Sequence, residues 1–123
     1  MVKIIYKDLS YKIMGLAFNV FKNIGYGYRE KYYQRALEEE FKKEKVKYKR
    51  ESPVRLIYGG KIIGKYFMDF IIEDKVILEL KVAKDFYTKD IKQILSYLTA
   101  KNLKLGILVI ITKDGVKYKR LVN

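Results

Sequence analysis

The chain has 123 residues, half of them apolar, which is enough for one domain with a real core but not for two. It contains neither cysteine nor histidine, so disulfides, thiolate or imidazole metal sites, cysteine nucleophiles and histidine-based triads are all excluded. Lys and Arg total 27 against 14 acids, and the resulting charge of +13 points to a polyanionic partner, nucleic acid above all.

Leu9, Ile13, Leu16, Ala17, Val20 and Ile24 recur at helical spacing and predict a helix over residues 10–24, capped by Asp8 or Ser10. Gly25-Tyr26-Gly27 breaks it. A second helix is predicted over 29–45, with Tyr33, Ala36, Leu37 and Phe41 as its apolar stripe. Glu30 precedes Tyr33 by three residues and Leu37 by seven, which places it on that stripe. Its position at a helix N-terminus has a plainer explanation too, since an acid there complements the macrodipole. Lys47 to Pro53 reads as a polar connection that can begin with an edge strand. Val54 to Tyr58 and Ile62 to Ile72 flank a Gly59-Gly60 turn, and Val76 to Val82 follows as a hairpin partner. A third helix over 88–101 carries Ile91, Ile94, Leu95 and Leu98 as its core face, with Gln93 and Tyr97 stacked beside that stripe. Ile107 to Ile111 predicts a buried strand, and Val116 to Val122 a last one after Lys113-Asp114-Gly115. The order ααβββαβ(β), with its strand–helix–strand crossover, predicts an α+β fold with a mixed sheet flanked by helices.

The hairpin from Tyr66 to Lys81 sets Asp69, Glu79 and Lys81 into two otherwise apolar strands. With the turn centred on Asp74, Asp69 lies opposite Glu79, and Glu79 shares a face with Lys81. Phe67, Asp69 and Ile71 are expected on one face of their strand, Met68, Phe70 and Ile72 on the other. Val76, Leu78, Leu80 and Val82 read as core. The face bearing Ile77, Glu79 and Lys81 becomes more charged away from the turn, which suits a cleft at the sheet edge. Like charges opposite each other destabilise a hairpin, and buried carboxylates are unfavourable unless paired or metal-bound. Two compensations are open: an ion pair of Glu79 with Lys81 or another lysine on a solvated face, or a hard divalent cation.

Ser10 and Ser52 are the candidate serine nucleophiles, neither in a glycine-framed elbow, and no phosphate-binding glycine loop is present. Enzyme chemistry is therefore left to carboxylates, Lys and Tyr, with carboxylate–water–metal chemistry foremost. A single proline and the lack of low-complexity segments argue against linkers and disorder. No apolar run is long enough to span a bilayer, no signal-peptide pattern opens the chain, and the lack of cysteine fits a cytoplasmic protein. Lys dominates over Arg, which suits phosphate contact better than base readout, although a solvated lysine-rich surface is the plainer explanation.

Three motifs stand in order on these elements. Gly27-Tyr28-Arg29-Glu30-Lys31-Tyr32-Tyr33 matches GxxExxY, Asp69 followed by Glu79-Leu80-Lys81 resembles D…(D/E)xK, and Gln93-Ile94-Leu95-Ser96-Tyr97 resembles QxxxY. From about Leu9 to Asn123 the chain resembles a GxxExxY protein of the PD-(D/E)XK nuclease superfamily. It departs from the pattern at Met68, where the superfamily's name has proline, and at Ile110, where many GxxExxY relatives carry Asn. The resemblance implies a restriction-endonuclease-like core and divalent-metal hydrolysis of phosphodiesters. It implies that Asp69 and Glu79 ligate Mg²⁺, with Mn²⁺ able to substitute, and that the Leu80 carbonyl and Glu30 complete the set. Lys81 would orient or activate the attacking water, and Gln93 and Tyr97 would steady the site or contact a phosphate.

The resulting expectation is a Mg²⁺-dependent nuclease spanning 1–123 as one domain, acting on nucleic acid, DNA ahead of RNA. One small site cuts one strand, which points to a homodimer. The alternative is a nucleic-acid-binding module that keeps the fold without cleaving, and a third reading is a basic structural protein of a ribonucleoprotein.

Overall fold

The computed structural model describes residues 4–123. Along the chain run α1 (Lys7–Ile24), α2 (Glu30–Lys43), β1 (Tyr48–Tyr58), β2 (Lys61–Ile72), β3 (Val76–Val82), α3 (Thr88–Lys101), β4 (Leu105–Thr112) and β5 (Gly115–Val122). The strands form one sheet in the order β1-β2-β3-β4-β5. Neighbours are antiparallel except β3 and β4, which α3 joins as a parallel pair. The mixed sheet flanked by helices is the architecture that the element order predicts. Among the described residues, no helix is long and apolar enough to cross a membrane.

Two cores lie on the two faces of the sheet. Ile13, Ala17, Val20, Tyr33, Leu37 and Phe41 of α1 and α2 pack on Phe70, Ile72, Leu78, Leu80, Ile107 and Val109. On the opposite face, Ile94, Tyr97 and Leu98 of α3 pack on Ile71, Ile77, Leu108 and Ile110. All of β4 is buried because helices cover both its faces, as a central strand of a parallel pair requires. Gly106 permits the closest approach: a Cβ there would stand 2.5 Å from Ile94 Cγ2.

Helix α1 begins three residues earlier than predicted, and neither Asp8 nor Ser10 caps it. Tyr6 occupies the cap in the left-handed region with no side-chain bond, while Ser10 is buried inside the helix. Helix α2 stops at Lys43 rather than Lys45 because Lys45 turns left-handed (φ 56°) and closes a Schellman motif, Val46 N–H bonding Phe41 O at 2.8 Å.

The polar stretch Lys47 to Pro53, read as a connection, is almost wholly strand: β1 runs unbroken from Tyr48 to Tyr58. Its polar residues are satisfied sideways, Tyr48 and Arg50 both bonding Glu38 of α2. The outer half of the β1–β2 hairpin, ending in the Gly59-Gly60 turn, pairs only with itself and extends as an arm beyond β3.

Two face assignments differ from expectation. Met68 packs in the α3-side core, not with Phe70 and Ile72. The β2–β3 ladder ends at Phe70↔Leu78, and opposite that point Glu51 is left-handed (φ 49°), so strict alternation is lost beyond Phe70. Tyr97, expected beside the α3 stripe, is 2% exposed because the arm folds Tyr66 and Val54 over it.

Candidate active site

The cleft expected at the sheet edge opens instead inside the sheet, between β2 and the central strand β3. The turn is centred on Asp74 as predicted, since Ile72 pairs with Val76 and Ile71 with Ile77. Past Phe70↔Leu78 the ladder stops and side chains take over its hydrogen bonds. The Asp69 N–H donates to Glu79 Oε1 at 3.0 Å, and the Leu80 N–H donates to Asp69 Oδ2 at 2.8 Å. Two residues on, the Val82 N–H points the same way and donates to Glu30 Oε1 at 3.0 Å. Splaying frees two N–H groups of β3, and the carboxylates of Asp69 and Glu30 satisfy them. A residue's N–H and C=O leave a strand on the same side, so the Leu80 carbonyl opens into this gap as well.

Glu30 reaches the gap because the GxxExxY segment is a folded unit. Gly27 adopts φ 115°, a conformation L side chains rarely take, and turns the chain into α2 at Arg29. Fully buried Tyr33 pins this loop: its hydroxyl donates to Gly25 O at 2.6 Å and accepts from the Tyr28 N–H at 3.4 Å. Glu30 is then the first residue of α2, projecting toward the end of β3.

Asp69 and Glu79 are thus brought together, while Glu30 is anchored separately on Val82. Among the described residues no three acidic side chains converge closely enough to hold a cation as they stand. Lys81 is half-buried, and its charge reaches Glu30, Asp69 and Glu79 alike. Tyr97 and Gln93 flank the gap from α3, with Gln93 near the Tyr97 hydroxyl.

Sequence reasoning missed three neighbours. Asp90, in the first turn of α3, adds its negative charge to the surroundings of Glu30. It lies three residues before Gln93, a helical spacing that marks it as a neighbour in sequence. Arg50 stacks over Phe70 at 4.7 Å and bonds Glu38 and Gln34 of α2, the latter one turn beyond Glu30; its charge also reaches Asp69. Tyr66 lies against Tyr97, ring centres 5.5 Å apart. Neither carries a sequence signal, since the contacts of Arg50 depend on how β1 packs against α2 and those of Tyr66 on how the arm folds over α3.

The electrostatics are those of a buried acid pair. Glu79 is 4% exposed, and burial, then the charge of Asp69, push its carboxyl up to about 9. Burial also raises Asp69, opposed by the Leu80 N–H and by Lys81. The pair therefore holds a proton more tightly than free carboxylates do. Glu30 is raised by burial too, opposed by the Val82 N–H and Lys81. Burial pushes the Tyr97 hydroxyl well above its usual range, so it remains a hydrogen-bond donor.

A model of the PD-(D/E)XK nuclease superfamily matches residues 7–121, nearly the whole chain. The chain belongs to the PD-(D/E)XK nuclease superfamily. Solved structures share the fold. SSO0001 aligns with a TM-score of 0.57 and 22% identity over 73% of this chain, which spans only 48% of that one. An alkaline exonuclease from Laribacter hongkongensis, LHK-Exo, aligns with a TM-score of 0.55 and 10% identity over 100% of this chain and 72% of its own. Among curated proteins, no sequence matches this PD-(D/E)XK chain.

Proposed function

We propose that this PD-(D/E)XK protein is a divalent-cation-dependent nuclease that hydrolyses phosphodiester bonds in DNA, of the GxxExxY kind. The observation that carries this reading is the gap itself, where buried Glu79 and Asp69 face each other with Lys81 beside them. Burial and the Asp69 charge raise Glu79 so far that the pair is poorly compensated by the protein alone. The donor set is all oxygen, with no histidine or cysteine in the chain, which fits a hard cation such as Mg²⁺ or Mn²⁺. Asp69, Glu79 and the Leu80 carbonyl would hold it, with Glu30 joining directly or through water. Such an ion supplies Lewis-acid polarisation of a phosphate and an acidified water.

The chain's own residues do the rest. Lys81 orients the attacking water and offsets charge that develops on the phosphorane. Tyr97, kept protonated, and Gln93 donate to a phosphate oxygen or hold the neighbouring carboxylates in place. The excess of lysine raises the local concentration of DNA and leaves base readout weak. The alkaline exonuclease among the structural neighbours agrees with this reading. One small site cuts one strand, so duplex cleavage calls for a homodimer.

The second reading is a nucleic-acid-binding module that no longer cleaves, and the separate anchoring of Glu30 is what favours it. Incubation with single-stranded, duplex and branched DNA plus Mg²⁺ or Mn²⁺ separates the two. Cleavage by the wild type that Glu79→Ala abolishes supports the nuclease. No cleavage, or equal cleavage by the variant, leaves the binding module.

A further inference from the structure

We infer that the cleft between the β1–β2 arm and α3 is a subsite for unpaired nucleic acid, with Tyr66 as its base-stacking platform. This deepens the nuclease reading and rests on it for the direction of the strand toward Asp69 and Glu79. The cleft has a volume of about 500 Å³ and two unlike walls. Leu56 and Tyr66 of the arm form an apolar and aromatic side, while Lys89, Lys92 and Gln93 of α3 form a basic and polar one. Asp90 also lines it, leaving an excess of positive charge over the cleft.

Such a pairing of walls suits a single strand. A flexible strand offers the flat face of each base to an aromatic ring and its phosphates to lysines. In a duplex the bases stack on one another and show only their edges in the grooves, so an aromatic wall has nothing to stack against. Tyr66 is 40% exposed, so its ring retains a free surface. Both lysines are exposed.

Continuity with the gap comes through Tyr66. Its ring lies 5.5 Å from that of Tyr97, whose hydroxyl feels the charges of Glu79 and Asp69. Gln93 belongs at once to the cleft and to the surroundings of Tyr97. Tyr66 is also three residues from Asp69 on β2. A strand lying in the cleft therefore has its backbone led toward the acid pair. A cleft of similar size between α1 and β5, lined by Tyr11, Phe18 and Tyr118, touches none of these residues.

The test is fluorescence anisotropy of the full chain in a chelator, so that binding is read without cleavage. The probes are a labelled oligothymidine of about 12 nucleotides and a blunt duplex of the same length. Tyr66→Ala is expected to weaken single-strand binding roughly tenfold while changing duplex binding by less than about twofold, and Tyr66→Phe to restore it. The double variant Lys89→Ala, Lys92→Ala touches no core packing and is expected to lower the salt dependence of single-strand binding. It carries the test if Tyr66→Ala melts below the assay temperature. Unchanged single-strand affinity in both variants, or equal losses for both probes, overturns the subsite. Binding through Tyr66 by a wild type that never cleaves keeps the subsite and removes the nuclease reading. Cleavage without any contribution from Tyr66 or the lysines does the reverse.

Discussion

The backbone N–H of Asp69 bonds the Glu79 carboxylate at 3.0 Å, in the place where the next rung of the β2–β3 ladder would stand. One carboxylate thereby ends a sheet contact and enters a nearly closed site. An ordinary glutamate titrates near 4.5, whereas burial and the Asp69 charge push Glu79 up to about 9. Between those values the folded chain keeps a proton that the unfolded chain has released. The stability that this proton confers is complete below the lower value and is lost as pH rises toward the upper one. The melting temperature in chelator is therefore expected to fall from about pH 5 to about pH 9. Glu79→Gln, neutral throughout, is expected to flatten that slope, melt higher at about pH 8 and lose cleavage altogether. Identical slopes for the two proteins in a thermal melt series would sink the assignment.

Tyr33 makes a different prediction, since it touches no reacting group. Tyr33→Phe removes the hydroxyl that joins Gly25 O to the Tyr28 N–H and leaves both without that partner. The expected loss is about 1–2 kcal/mol of stability, read from urea melts. The loop that delivers Glu30 also loosens, so cleavage by the folded fraction is expected to fall about tenfold. A variant as unstable as this yet fully active would show that Glu30 does not depend on the loop.

How much of this was legible depends on whether a signal was local. The helix stripes, the turn at Asp74 and the opposition of Asp69 to Glu79 follow from spacing, and each is present. Glu30 was legible as an inward-facing acid, but its bond to Val82, 52 residues away, was not. The end of the ladder at Phe70 was also hidden. Alternation assumes a continuous strand pair, so it misplaced Met68 and put the cleft at an edge. The first half of β1 reads as a polar connection in the sequence because its polar residues are satisfied by α2, a tertiary contact that overrides composition.

Gly106→Ala separates stability from chemistry. A methyl group there meets Ile94 Cγ2 at 2.5 Å, and that atom sits on a branched carbon that cannot swing aside freely. Overpacking of this kind costs about 1–3 kcal/mol, and the melting temperature should drop by several degrees. Cleavage per folded molecule is expected to stay within about twofold of wild type, because α3 shifts as a unit. A drop in activity far beyond the drop in folded fraction would mean that the spacing of α3 from β4 also sets Gln93 and Tyr97.

Arg50 tests whether charge or shape matters beside the site. Its guanidinium bonds Glu38 at 3.2 Å and Gln34 at 3.1 Å while lying over Phe70. It also favours the ionised form of Asp69 through its charge. Arg50→Lys preserves the charge but loses the planar fork that spans two side chains of α2. If the fork holds α2, and with it Glu30, Arg50→Lys should destabilise by about 1–2 kcal/mol and slow cleavage to nearly the same extent as Arg50→Ala. If charge alone matters, Arg50→Lys should cleave like the wild type and only Arg50→Ala should fail. The geometry favours the fork, because Gln34 lies one turn beyond Glu30 and Arg50 holds it directly. Combining Arg50→Lys with Tyr33→Phe supplies the decisive measurement. Both residues fix the position of Glu30, so their effects on cleavage should be less than additive, whereas independent roles would add in full.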